Sequence, residues 1–513
     1  MNSRIQKSIM NAKVNVLFYV ISVILAFFSR KYFLDNLGTE FVGLSGTLGD
    51  MLNLMNITEL GIGTAVGVTL YKPIFDQDRE KICDIISVFG FLYTRVGGVI
   101  ALAGIVLSCF FPMMFAKAGV PLYLAYLMFY AMLYASLLGY FVNYRQIILS
   151  ASQQNYVIML RYNTAITLKV ILQIFTSFLP YNYLWWIALE ALTITVYTFI
   201  LNGTIRKYYP WLQTSYQRGK EKFKDYKDLW TKTKQVFVLK LSHLVLNSST
   251  NMLIYAFVNL TTVALYGNYN MLMSKVTSFI DGLFTGMEAS VGNLIAEGEM
   301  TRIKQVFNEL LCLRYFLAAL CSITLYYTVS PFITIWLGDK YLMANSIVIL
   351  LSVHFFINQA RITVDNFKNG YGLYGDVWAP VAEVILMVGI AILLGNRLGI
   401  VGILIGLVAS EVFIKMLWKP YYLFTHGFHQ SVLRNYWTLI AKYILAIAAT
   451  VIGLHYTTTF FIGIIDIKNW FLLILYCLLV SCITFFLLFA LFLILDHNVL
   501  IFIKHIKQYR SRK

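Results

Sequence analysis

Residues 263–294, VALYGNYNMLMSKVTSFIDGLFTGMEASVGNL, read as one long helix with two unlike faces. Gly267, Asn270, Ser274, Ser278, Asp281, Thr285, Glu288 and Gly292 recur at steps of three and four. At about 100° per residue they share one narrow stripe. The opposite face carries Tyr269, Leu272, Val276, Phe279, Ile280, Leu283, Met287, Val291 and Leu294. Small residues on such a stripe suit close packing against neighbouring helices. Packing does not need Asn270, Asp281 and Glu288, and two carboxylates at membrane depth require water, partners or a ligand. The stripe is therefore expected to wall an aqueous cavity, with the rest of the chain as a membrane-embedded frame.

Composition agrees with that frame. Of 513 residues, 59% are hydrophobic and 13% charged, which is outside the range of soluble domains. A helix needs about twenty mostly apolar residues to cross the hydrocarbon core. About fourteen such stretches can be counted, starting near residues 13, 42, 84, 121, 156, 183, 236, 262, 306, 345, 378, 399, 436 and 470. The expected fold class is an all-α polytopic membrane protein. Arg4, Lys7 and Lys13 precede or open the first span, and Lys504, Lys507, Arg510, Arg512 and Lys513 follow the last. Basic residues near spans stay cytoplasmic, so both termini are expected inside. Loops on the opposite side hold Arg30, Lys31, Lys117, Lys340, Arg397 and Lys468. The net charge of +17 expresses this rule and is not a nucleic-acid signal. The first apolar run continues to Phe28 without a small-residue cleavage site and is expected to be a retained helix. Six scattered cysteines favour packing thiols over a disulfide frame.

The second span, from about Phe41 to Tyr71, echoes residues 263–294. Gly46, Gly49, Asp50, Asn53, Asn56, Gly63 and Gly67 spread over one broad face, with Glu59 at its margin. Val42, Leu44 and Gly46 match Val263, Leu265 and Gly267 at an offset of about 220 residues. In the same order, Lys81 answers Arg302, Pro112 answers Pro331, and Phe141, Asn143 and Arg145 answer Phe356, Asn358 and Arg361. An even span count per repeat gives parallel repeats, which in transporters meet at a site near the bilayer midplane. The expected division is two parallel six-helix lobes at 1–205 and 236–430, a basic cytoplasmic linker at 206–235, and two additional helices with a basic tail at 431–513. The linker's bases and aromatics, among them Tyr208, Trp211, Tyr226 and Trp230, suit an anionic lipid surface.

Further ionisable residues fall within spans: Arg95, Lys169, Glu190, Lys275, Arg314, Arg361, Asp365, Glu383, Glu411 and Lys415. Arg314, Glu411 and Lys415 lie near span ends, where snorkelling to the interface competes with binding. Arg95, Lys169 and Arg361 fall deeper and are candidates for contact with phosphate or acidic sugars, since charge-assisted bonds to phosphate are strong. Asn53, Asn56, Asn270 and Ser274 are candidates for sugar hydroxyls. Asp50, Glu59, Asp281 and Glu288 are candidates for cavity polarity or for coupling a cation or proton. His354 is expected to be a buried, hydrogen-bonded imidazole. No catalytic residue, metal site or cofactor is expected: no His-Glu-x-x-His pair and no phosphate-binding Gly-rich loop with Lys is found, and the spacing of His426 and His429 is only superficially metal-like.

The run Gly43 to Phe75, with Glu59-Leu60-Gly61-Ile62-Gly63-Thr64-Ala65 and Leu70-Tyr71-Lys72-Pro73, resembles Wzx-type polysaccharide flippases of the multidrug/oligosaccharidyl-lipid/polysaccharide exporter superfamily. Phe141-Val142-Asn143-Tyr144-Arg145, Leu265-Tyr266-Gly267-Asn268-Tyr269, Ser290-Val291-Gly292-Asn293-Leu294, Trp336-Leu337-Gly338 and Gly370-Tyr371-Gly372-Leu373 follow in the order that family shows. The resemblance covers nearly the whole chain. It implies alternating-access flipping of an undecaprenyl-pyrophosphate-linked oligosaccharide across a bacterial cytoplasmic membrane, for capsule, O-antigen or exopolysaccharide assembly. Membrane lipids and polysaccharide polymerase machinery are the partners it implies, with no nucleic acid. Where relatives often have an acidic residue in the seventh span and an Arg-Asp pair before Gly-Tyr-Gly-Leu, this chain has Asn247-Ser248-Ser249-Thr250-Asn251 and Lys368-Asn369. Two other readings are a cation-coupled drug or metabolite antiporter of the same superfamily and a membrane-embedded polysaccharide polymerase or ligase. The latter would be expected to carry a substantial external loop with catalytic residues, and none is found.

Overall fold

The computed structural model describes residues 2–56, 62–116, 118–152, 154–226, 249–284, 287–373, 375–462 and 467–495. Every regular element among them is helical, and eleven helices are long and apolar enough to cross a membrane. This is a multipass, all-α membrane protein. The remaining expected spans began near residues 42, 236 and 262. The first two fall partly or wholly on undescribed residues, and the third is a 24-residue helix, Leu260–Leu283, whose polar stripe makes it less apolar than those eleven.

The chain forms two compact units, residues 1–264 and 265–513. Both run through the same order of helices. Arg79–Ser108, Leu122–Phe141, Asn155–Thr176 and Asn182–Tyr208 in the first correspond to Met300–Trp336, Asn345–Ala360, Trp378–Leu398 and the helix starting at Ile400 in the second. The offset stays near 220 residues throughout. Arg145 and Arg361 hold like places: each lies where a spanning helix breaks before a short one, Ile147–Ala151 and Ile362–Gly370 respectively. The second unit then adds Thr438–Ile462 and Trp470–Leu495, which pack together.

In the first unit, Leu44, Leu48, Ile85, Ile86, Phe111, Met128 and Leu201 form the centre of a continuous apolar core. Arg79–Ser108 starts on Asp78, whose carboxylate caps the helix by accepting from the Lys81 amide at 3.0 Å. Gly43 lets Gly38–Met55 meet the backbone at Leu260, because a Cβ there would lie 2.0 Å from the Leu260 carbonyl oxygen. Part of the basic segment after residue 206 is folded onto this unit. The short helix Tyr216–Lys222 packs on Arg79–Ser108, with Gly219 against the Ser87 backbone and Arg218 paired with Asp84. That carboxylate raises the pKa of Arg218 above its ordinary value.

In the second unit, Trp378–Leu398 and Ile400–Glu411 form a tight antiparallel pair joined at Gly399, whose φ of +56° favours glycine. Close approach there depends on Gly402 and Gly406, where an added Cβ would lie 2.5 Å from the Leu394 carbonyl oxygen and 2.8 Å from that of Met387. The helix beginning at Ile400 widens into a π-helical turn over Val412–Trp418, which carries Lys415.

One sequence expectation is corrected here. Residues 263–294 are not one helix: Leu260–Leu283 ends, and Met287–Glu297 begins after it. At the junction the amides of Phe284 and Met287 bond to the carbonyls three residues back, at Asp281 and Phe284. Gly282 and Gly286 flank this point, and each costs about 1 kcal/mol relative to alanine within a helix. The second span likewise comprises two described helices, Gly38–Met55 and Ile62–Phe75.

Candidate functional site

Within the first unit, three spanning helices, the Gly38–Met55 helix and one turn line an open cavity of about 590 Å³. Gly49, Leu52, Asn53 and Asn56 line it from the Gly38–Met55 helix and its end. Met132, Ala135, Ser136 and Gly139 line it from Leu122–Phe141. Ile158, Tyr162, Ile166 and Lys169, and then Glu190, Ile194 and Tyr197, come from the next two helices. Each set repeats at three- and four-residue steps, so each helix gives the cavity one face. Lys169 Nζ donates to both Glu190 oxygens at 2.8 and 2.9 Å, and Gln173 Nε2 donates to Glu190 Oε1 at 3.1 Å. The ion pair is mostly buried, with side chains 13% and 15% exposed. Asn56 Oδ1 accepts from the Ser136 and Tyr140 hydroxyls at 2.9 and 3.1 Å, which orients its amide. Tyr197 donates to Gln146 Oε1 at 3.4 Å.

The cavity therefore sets amides, a hydroxyl and phenols, around one neutralised ion pair, among aliphatic walls. Such a surface can exchange hydrogen bonds with a hydroxylated molecule while its net charge stays near zero. An anion can bind Lys169 only in competition with Glu190.

A second cluster lies wholly within the other unit. Glu411, 1% exposed, accepts from Lys415 Nζ at 2.6 Å and Asn358 Nδ2 at 3.0 Å through Oε1. Its Oε2 lies 2.8 Å from His354 Nδ1. Lys415 also reaches Glu383 Oε1 and Asn358 Oδ1, both at 3.2 Å. Arg361 donates to Asn358 Oδ1 at 3.3 Å and to Asp365, and Asp365 takes a further bond from Lys419 at 2.7 Å. Arg361, Lys415 and Lys419 thus balance Asp365, Glu383 and Glu411. Lys368 and Asp376 form another pair.

The sequence candidates are distributed over unlike surroundings. Asn53, Asn56 and Lys169 share the cavity of the first unit. Asp50 is half-buried near that face and takes a hydrogen bond from Asn251. Arg95 does not line the cavity; it is exposed, with its guanidinium carbon 4.5 Å from the Phe91 ring centre. Arg361 belongs to the balanced network. Asn270, Ser274, Ser278 and Asp281 are all exposed on one face of Leu260–Leu283, as their spacing requires. Glu288 is exposed and accepts from Asn369 Nδ2 at 2.9 Å. Glu59 and Thr285 lie outside the described residues.

Snorkelling is overturned for Arg314, Glu411 and Lys415. All three are buried: Arg314 stacks on Phe284 at 3.7 Å and bonds Gln359, and the other two neutralise each other. His354 is hydrogen-bonded as expected but not buried: its side chain is 26% exposed, at the open end of its network. The sequence reading left Tyr162, Tyr197, Ser136, Gln146 and Glu190 out of the site. The signal for three of them, Tyr162, Glu190 and Tyr197, was the step pattern 158, 162, 166, 169 and 190, 194, 197 within apolar spans. None of the six cysteines forms a disulfide.

No family model matches the sequence, and no curated protein matches it either. Solved structures do. The chain is similar to the lipid II flippase MurJ in its inward closed conformation, with TM-score 0.66 and 16% identity over 93% of this chain and 98% of that one. The fold is that of the MOP superfamily. An inward-facing multidrug resistance MATE family transporter of the MOP superfamily matches with TM-score 0.60 and 14% identity, over 80% of this chain and 94% of that one. A mutant of the Vibrio cholerae MATE transporter VcmN matches with TM-score 0.52 and 14% identity, over 83% and 99%. At these identities the MOP likeness concerns the fold. It shows how apolar helices of this order arrange, and it leaves the cargo to the side chains of this chain.

Proposed function

We propose that this MOP-fold protein is a flippase for a lipid-linked oligosaccharide, working by alternating access. The supporting observation is the cavity of the first unit: amides, hydroxyls and phenols around Lys169 and Glu190, carried mostly on helices suited to hydrocarbon. A saccharide headgroup cannot cross about 30 Å of hydrocarbon unaided. A cavity of this size lies in the range that holds small polar ligands, about 300–1,000 Å³. In this reading Asn53, Asn56 and the cavity tyrosines exchange hydrogen bonds with sugar hydroxyls, and Lys169 meets phosphate. The solved flippase also spans more of this chain than the MATE transporter does, 93% against 80%.

The finer reading follows the sequence resemblance: an undecaprenyl-pyrophosphate-linked repeat unit, moved outward across a bacterial cytoplasmic membrane for surface polysaccharide assembly. Deleting the gene and analysing lipid-linked saccharides tests it. Accumulation of one such saccharide on the inner leaflet is expected, and an unchanged lipid-linked pool with normal surface polysaccharide refutes it. The MATE likeness supports a second reading, export of an organic cation. Flux of a cationic dye in vesicles, with no saccharide accumulation in the deletion strain, would establish that reading instead.

A further inference from the structure

A second space adjoins the polar cavity. Between Asn155–Thr176 and Asn182–Tyr208 runs a groove of about 480 Å³, lined chiefly by Leu160, Leu168, Leu172, Leu192, Val196 and Ile200. Lys169 and Tyr197 line both spaces, so the groove and the cavity meet at these two side chains. Apart from them, the charged residue on the groove is Arg161, and no carboxylate lines it. With Lys169 neutralised by Glu190, Arg161 gives the trough its net positive charge, which suits an anionic amphiphile better than a cationic one. From Leu160 to Leu172 the trough runs about 18 Å at 1.5 Å rise per residue.

We propose that this groove holds the hydrocarbon chain of a polyprenyl phosphate-type lipid whose first phosphate takes Lys169 from Glu190. The inference rests on the flippase reading and adds to it where head and tail part company. Lys169 suits the junction because its methylene stem can lie on apolar surface while the ammonium reaches polar ground. When Lys169 turns to the phosphate, Glu190 keeps one hydrogen bond, from the Gln173 amide to Oε1 at 3.1 Å, and the phosphate contact has to offset the ion pair given up. Phosphate then replaces one charge-assisted bond with another of equal or greater strength. A single trough between two neighbouring helices takes one chain, which fits a polyprenyl tail better than the paired chains of a glycerophospholipid.

The test is photocapture in phosphatidylcholine proteoliposomes of the full chain. p-Benzoylphenylalanine replaces Leu172 or Leu192 in the groove, or Leu445 as a lipid-exposed control on Thr438–Ile462. The probes are a tritiated polyprenyl phosphate and the neutral polyprenol of the same length. The phosphate lipid is expected to label both groove positions about tenfold above Leu445 and above the alcohol, with Lys169→Gln abolishing most of that preference and Lys169→Arg keeping it. Equal labelling by phosphate and alcohol, labelling as strong at Leu445, or full competition by phosphatidylglycerol overturns the proposal. Should Lys169→Gln not fold, the comparison of phosphate with alcohol on the chain with intact Lys169 decides the matter. Because the probe carries no sugar, capture without saccharide transport counts against the flippase reading and not the groove. Saccharide transport without capture counts against the groove alone.

Discussion

Replacing Lys415 by methionine should unbalance the buried network of the second unit. Lys415 stands within 3.2 Å of Glu383 and 2.6 Å of Glu411, and both acids are almost fully buried. Without it, Asp365, Glu383 and Glu411 face two cations, Arg361 and Lys419, and Glu383 loses its ion-pair partner. Breaking a buried pair by removing one member costs about 3–5 kcal/mol, because the remaining charge is left in low dielectric. For a unit of this size that corresponds to a fall of about 10 °C in Tm. Methionine retains an unbranched apolar stem, so the loss reflects charge more than volume. The double variant Lys415→Met/Glu383→Gln restores the balance, and Glu411 still has His354 and Asn358. It should recover at least about 1 kcal/mol relative to Lys415→Met. Thermal unfolding of the detergent-solubilised protein, followed by tryptophan fluorescence, measures both. A single variant within about 1 kcal/mol of the parent, or strictly additive losses in the double, would refute the reasoning.

Other outcomes follow from the same geometry. Gly43→Ala drives a methyl into the Leu260 carbonyl and should cost about 1–3 kcal/mol, whereas Gly49→Ala meets nothing within 4 Å and should be tolerated; membrane yield and Tm separate them. Arg218→Ala should release the short helix over Tyr216–Lys222, read as faster tryptic cleavage after Lys220 and Lys222. A base whose folded pKa is raised contributes its stability fully below its unfolded pKa, which for arginine lies far above neutral pH. Protection of that helix should therefore not fall as pH rises from 6 to 9 through any titration of Arg218. Asp281→Asn and Glu288→Gln are expected to impair saccharide translocation while leaving membrane insertion intact, and normal surface polysaccharide in both variants would remove their proposed role.

What the sequence determined by itself is what depends on neighbours along one helix. Apolar length identified the spans, and 3.6-residue periodicity put Asn270, Ser274, Ser278 and Asp281 on one exposed face. The ordered echoes at about 220 residues anticipated the repeated helix order. The break after Leu283 was less legible, because glycine weakens a helix without forbidding it. Partnership was decided by the tertiary structure. Lys169 finds Glu190 across a helix pair, and Glu411 meets His354 from 57 positions away. A charge deep in an apolar run shows that a partner is needed, and the run cannot show which. Only the packing of whole helices selects it, and that selection left Arg95 exposed, put Lys169 on a cavity wall and enclosed Arg361 within a neutral cluster.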